Sequence, residues 1–225
     1  MNPIDRLLSV VAPHICVRCG REGSLLCLEC SEHIMRLPSI CYSCGRASRN
    51  STACDLCKHR HHPQHVYIVT AYDDEAKQLI KAFKFEEKRA AAVSIAGMIS
   101  ETLPYFADPP IMAFVPTATS HRRTRGFDHA ELLAKEVAKQ RGWRYVRLLH
   151  RTSQKRQLGA SREQRKAQLK GVFRVRPNDT ITGKHVLLID DVVTTGATLN
   201  ECSKLLYEMG ASQVDAAVFA RTMEK

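Results

Sequence analysis

The segment Val186–Thr198, VLLIDDVVTTGAT, constrains the fold of this 225-residue chain more than any other. Its first four residues are apolar and read as a strand buried on both faces, the kind found in a parallel sheet covered by helices. A carboxylate pair, Asp190 and Asp191, follows, and a Thr/Gly loop then opens a helix. Backbone N–H groups of the loop Thr194, Thr195, Gly196, Ala197, Thr198, its hydroxyls and the positive helix end converge on an anion. Gly196, lacking a Cβ, is expected to let a ligand approach the backbone closely. Asp190 and Asp191 are placed to accept hydrogen bonds from a sugar diol and to face a magnesium ion. Phosphate, diol and carboxylate pair together describe a ribose 5-phosphate. A lone Asp-Asp would be two solvated acids at a strand end; the flanking strand and loop argue otherwise. The segment is neither a Walker loop nor a dinucleotide fingerprint, since it lacks Gly-Lys-Ser/Thr and Gly-x-Gly-x-x-Gly.

Eight of the nine cysteines form four Cys-x-x-Cys pairs: Cys16/Cys19, Cys27/Cys30, Cys41/Cys44 and Cys54/Cys57. Two such knuckles supply four thiolates, the set that tetrahedral zinc takes, so eight thiolates predict two structural zinc ions. Grouping the pairs in sequence order is the simpler ligation, and an interleaved grouping stays open. Four disulfides are disfavoured in the reducing cytoplasm, the expected location. Residues 13–62 carry few large apolar side chains, so metal binding is expected to supply their folding energy. His59, His61, His62 and His65 read as solvated or as a basic patch, because the thiolates already complete both sites. Cys202, outside the pairs, reads as a small core residue.

The length accommodates one α/β domain and a small appendage, divided as a cysteine-rich, double zinc-ribbon-like module over 1–64 and a second domain over 65–225. No apolar run reaches membrane-spanning length, and Leu7–Ala12 is too short and lacks the basic flank of a signal peptide. The net charge of +11 is localised: residues 121–176 hold 17 Lys/Arg against 4 Asp/Glu, a net of +13. Either a strongly anionic small ligand or a nucleic-acid backbone sits there. Phe127, Trp143 and Tyr145, interleaved with arginines, make the second option concrete as a grip on single-stranded DNA.

Periodicity predicts a short amphipathic helix over 1–12, a strand over Val66–Ala71 and helices over Ala76–Phe83 and Lys88–Leu103. A strand over Ile111–Val115, stopped by Pro116, follows, then a helix from Asp128 to about Gln140. Tyr145–Leu149 reads as a further strand and 150–170 as a mobile loop or solvated helical arm. Val172–Val175, a helix from Gly196 to Met209 and a strand over Val214–Phe219 complete the pattern. Strands alternating with helices predict a parallel sheet flanked by helices on both faces.

The Val186–Thr198 segment resembles the motif of type I phosphoribosyltransferases that binds 5-phosphoribosyl 1-pyrophosphate (PRPP). Together with the cysteine pairs it makes the chain similar to the ComF family, bacterial proteins that join an N-terminal zinc element to such a domain and are associated with natural competence. Pro116 and the stretch Arg123-Thr-Arg125-Gly-Phe127 are similar to the family's strand-end proline and Arg-Gly-Phe stretch. Asp128-His129 replaces the family's Asn-Gln, and Thr117–His121 its Leu-His and basic residues. Gln157, Arg165 and Phe173 fall where the family has its arm, with Ala160 and Gln168 departing from it, and Lys84-Phe85 resembles its Lys-Phe/Tyr pair. The resemblance implies magnesium-bound PRPP, catalytic roles for Asp190 and Asp191, a pyrophosphate side at Pro116, Arg123 and Arg125, and an arm at Gln157 and Arg165 that closes over the substrate. It implies phosphoribosyl transfer to an acceptor not specified by any motif. The alternative is a non-catalytic single-stranded-DNA-binding factor in DNA uptake, with a vestigial or regulatory PRPP site and with single-stranded DNA or competence helicase machinery as its partner.

Overall fold

The computed structural model describes residues 14–85, 88–117, 127–152, 171–176 and 181–223. The expected helix over 1–12 and most of the 150–170 arm lie outside them. Four parallel strands build the sheet: β1 (Val66–Ala71), β2 (Ile111–Phe114), β5 (His185–Val193) and β6 (Gln213–Arg221), in the order β1-β6-β5-β2. Each is a β-branched or otherwise apolar run, and in β2 and in most of β5 and β6 successive residues are buried on both faces, as a sheet covered on both sides requires.

The helices α2 (Asp74–Phe85), α3 (Lys88–Thr102) and α4 (His129–Arg141) cover one face, where Leu79, Ile95 and Leu133 are wholly buried with Met112, Leu187 and Phe219. Helix α5 (Ala197–Glu208) covers the other, inserting Leu199, Cys202 and Leu206 among Val186, Leu188 and Val218. Cys202 is therefore the small core residue its position suggests. Helix α2 starts where the Asp73 carboxylate accepts from the Ala76 N–H (2.9 Å). Gly142, in the left-handed region, terminates α4.

The expected strand over Tyr145–Leu149 divides differently. Tyr145 makes a single parallel bridge to Met112 at the sheet edge, whereas β3 (Leu149–Arg151) pairs antiparallel with β4 (Phe173–Val175) in a separate ribbon. Three-residue strands carry too little pattern to show which partner they take. The strand β5 also runs past Ile189, through both aspartates to Val193, because β6 continues to pair with it as far as Arg221.

The cysteine-rich segment has almost no regular structure of its own: helix α1 (Leu28–Glu32) and the isolated bridges Ile15–Glu22 and Ile40–Ala47. It does not stand apart from the sheet. Leu25, Leu26 and Ile34 join the core under α2, while Ile40, Tyr42 and Ala53 join the core on the α5 side. Between these groups Leu37 N–H donates to Val69 O (3.0 Å) and Arg36 bridges Thr70, which shields the outer edge of β1. Metal binding is thus not the segment's only source of folding energy, as its composition had suggested.

Candidate functional site

Strand β2 leads towards α4 on one face and β5 into α5 on the other, so the two chains diverge beyond neighbouring strand ends. Such a divergence opens a crevice at the carboxyl edge of the sheet, the usual ligand position in open parallel sheets. Asp190 and Asp191 lie near the carboxyl end of β5, Thr194–Thr198 follow it, and Pro116 and Thr117 lie just beyond the carboxyl end of β2.

The two aspartates alternate across the strand and meet different surroundings. The Asp190 carboxylate accepts from the Asp191 N–H, and that of Asp191 from the Val192 N–H, each at 2.9 Å. Asp191 is 6% exposed, and its other oxygen forms an ion pair with Lys84 at the end of α2, with His129 Nε2 at 3.6 Å. Burial works to raise the Asp191 pKa, yet Lys84 and His129 hold it below the ordinary carboxylate range. Burial and the adjacent Asp191 charge push Asp190 well above that range. The pair is thus asymmetric: Lys84 and His129 favour the charged form of Asp191, and burial beside that charge disfavours the charged form of Asp190.

The loop Thr194–Gly196 passes into α5 with Gly196 as the N-cap, at φ +73°. No side chain caps this helix and its first turn contains no acid, so its leading N–H groups remain available to an anion. Gly196 is needed here for a reason that the sequence did not reveal. A Cβ at this position would lie 2.4 Å from Cε2 and 2.5 Å from Cδ2 of Tyr42. The close neighbour is a tyrosine from the cysteine-rich segment, whose hydroxyl donates to Asn200 Oδ1 in α5.

On the β2 side Asp128 holds the crevice wall. Its carboxylate accepts from the Thr117 N–H (3.0 Å) and hydroxyl (2.8 Å) and caps α4. The residues at which the chain departs from the family's Asn-Gln thus have partners of their own: Asp128 on Thr117, His129 on Asp191. Arg123, Arg125, Gln157 and Arg165 lie outside the described residues. Of the aromatics considered for nucleic-acid stacking, Trp143 packs edge-on against Phe106 (5.5 Å) beneath Arg141, and Tyr145 stacks on Phe114 (6.3 Å). Both rings serve the protein's own packing.

The cysteines group in sequence order: Cys16, Cys19, Cys27 and Cys30 in one cluster, Cys41, Cys44, Cys54 and Cys57 in the other, with each cluster's sulfurs within 4.8 Å of one another. The sulfurs of Cys19 and Cys27 lie 3.7 Å apart and those of Cys44 and Cys54 3.6 Å apart, matching the roughly 3.8 Å that tetrahedral Zn–S bonds of about 2.3 Å impose. Against burial, backbone N–H groups of Cys19, Cys27 and Arg18 lower Cys16 to about 6, and those of Cys54, Cys44 and Ser43 lower Cys41 to about 7. Burial and the neighbouring thiols raise Cys30 and Cys57 to about 12. Four thiols in one shell compete for charge in this way, and a divalent cation relieves the competition. Each cluster could hold one metal ion, and the donor set suits zinc.

Parallel sheet, uncapped helix and carboxylate pair define a domain of the phosphoribosyltransferase type. The family model for the phosphoribosyl transferase domain matches residues 124–225. Competence protein ComFC of Streptococcus pneumoniae is 30% identical over 200 residues, 86% of this chain and 86% of that protein. The DNA utilization protein YhgH of Salmonella typhi is 27% identical over 231 residues, 95% of this chain and 100% of its own. Among solved structures, the adenine phosphoribosyltransferase of Leishmania tarentolae is 19% identical with a TM-score of 0.39, over 57% of this chain and 56% of that enzyme. The chain belongs to the ComF family. No described helix is long and apolar enough to cross a membrane.

Proposed function

We infer that this protein binds PRPP with magnesium in the crevice between β2 and β5 and transfers its phosphoribosyl group to a nitrogen acceptor, in the handling of DNA to which its relatives' names refer. The observation that carries this reading is the uncapped N-terminus of α5, reached from the strand end that carries the two adjacent carboxylates. The N–H groups and hydroxyls of Thr194–Thr198 would receive the 5-phosphate. Asp190 and Asp191 would take the ribose 2- and 3-hydroxyls, and Arg123 and Arg125 the pyrophosphate. Magnesium, arriving with the substrate, supplies positive charge next to the diol and the leaving group.

In the reaction the bond from the anomeric carbon to the pyrophosphate oxygen breaks and its electron pair leaves with pyrophosphate. The acceptor nitrogen's lone pair forms the new bond, and that nitrogen's proton passes to solvent. The carboxylates lower the energy of the cationic sugar between these events. No protein nucleophile is required. Two zinc ions, one in each cysteine cluster, would hold the cysteine-rich segment in shape over the 1–64 module.

Titration calorimetry tests the reading. The parent protein should bind PRPP with magnesium and not without it, and Asp190→Asn/Asp191→Asn should bind at least tenfold more weakly. Absence of magnesium-dependent binding by the folded parent overturns the reading.

A further inference from the structure

We propose that Tyr42 is a positioning residue for the phosphate loop, and that it couples metal occupancy of the second cysteine cluster to anion occupancy of that loop. The proposal rests on reading Thr194–Thr198 as the phosphate site.

Tyr42 stands in the chain between Cys41 and Cys44, two thiols of the second cluster, and is wholly buried. Its ring occupies the space beside Gly196 that a Cβ would need, and its hydroxyl donates to Asn200. Asn200 is the residue whose N–H closes the first turn of α5 on Gly196 O (2.9 Å). Ring and hydroxyl therefore fix both the left-handed loop residue and the helix start that together present the anion-binding N–H groups. Asn200 also lines a cleft of about 380 Å³ together with Thr195, Ser43, Arg46 and Lys58.

A second grip holds the same knuckle from behind. Arg221, 2% exposed at the end of β6, donates from Nε to Tyr42 O (3.1 Å) and from its guanidinium to Ser43 O (3.4 Å). Its strand partner is Val193, the last residue of β5 before the loop. The knuckle backbone is thus tied to the loop in front and to the strand pair behind, at the point where β5 leaves the sheet. Metal–thiolate bonds fix that backbone; a cluster without metal loses the reason for its four thiols to converge, and with it the support of the ring. An anion that requires the supported loop must then tighten metal binding by the factor by which metal tightens anion binding.

A zinc competition titration reads this coupling at equilibrium and does not depend on turnover. Zinc-loaded protein is titrated with a zinc-selective chromogenic chelator alone, with inorganic phosphate, and with PRPP plus magnesium. In the parent, one of two zinc sites should tighten by roughly tenfold when the loop is filled, within the range of about 5- to 150-fold usual for coupled sites, and the other should not move. Tyr42→Phe, which keeps the ring, should retain most of that shift, and Tyr42→Leu should abolish it. Because Tyr42→Leu risks unfolding, Asn200→Ala is the second variant: it should keep two zinc ions and lose a measurable part of the shift. The proposal fails if neither phosphate nor PRPP tightens either site in the parent, or if both substitutions leave the shift intact. Should phosphate tighten one site while PRPP with magnesium does not bind, the coupling stands and the phosphoribosyl reading falls.

Discussion

Gly196 shows how one residue can be assigned the right place for an incomplete reason. The sequence suggested room for a ligand, but the atoms that exclude a Cβ belong to Tyr42, 154 positions earlier in the chain. Gly196→Ala should combine this clash with a strained positive φ, costing about 1–3 kcal/mol in urea unfolding and weakening phosphate binding. Lys84 was legible as a solvated helix-end cation or, through its Lys-Phe pair, as a phosphate contact, and nothing local shows that it reaches Asp191. Lys84→Met should lower stability by about 2 kcal/mol at neutral pH, where Asp191 is ionised, measured by the urea midpoint. At the other end of the sheet, buried Asp215 accepts from His65 (3.1 Å) and His185 (3.0 Å). Burial opposes its ionisation, but His185 and His65 hold its pKa below 3.8. A depressed carboxylate stabilises the fold fully above its unfolded pKa of about 3.9, and that stability is lost as pH falls through the lower folded value. Acid unfolding should therefore steepen below about pH 4 in the parent, and Asp215→Asn should flatten the curve in that window.

At the scale of elements, helical periodicity located α2, α3, α4 and α5 to within a few residues, since each buries one stripe against the sheet. The expected strand over Val172–Val175 falls on β4, but its pairing with β3 was not assignable, because three residues cannot specify register or partner. The start of α4 also carries a function that the pattern only hinted at. Asp128 caps the helix and clamps Thr117, so one side chain sets both the helix and the wall of the crevice. Asp128→Ala should cost about 1–2 kcal/mol by thermal or urea unfolding, and Asp128→Asn, itself a good cap, should recover most of it. If Asp128→Ala is neutral, the clamp contributes nothing.

For the molecule as a whole, the consequential feature is that the cysteine-rich segment is not a detachable appendage. Leu25, Leu26 and Ile34 lie in the core beneath α2, and Tyr42 and Ala53 in the core beside α5. Removal of metal by a zinc chelator should then destabilise the sheet as well as the knuckles, giving one transition at a lower temperature by circular dichroism. Metal analysis should return two ions per chain, one for each cluster. A chelated protein whose sheet melts unchanged would separate the two parts again.

By itself the sequence determined the parallel α/β sheet, the phosphate-type loop and the eight paired thiols. These are local signals: hydrophobic period, glycine and threonine at a strand-to-helix turn, and ligand spacing within a few residues. Only the tertiary structure decided which pairs share a cluster, that Lys84 and His129 face Asp191, and that Tyr42 rests on Gly196. The contacts at Asp191 and Gly196 join residues 62 to 154 positions apart, where chain topology and packing choose the neighbour and no repeating pattern encodes it.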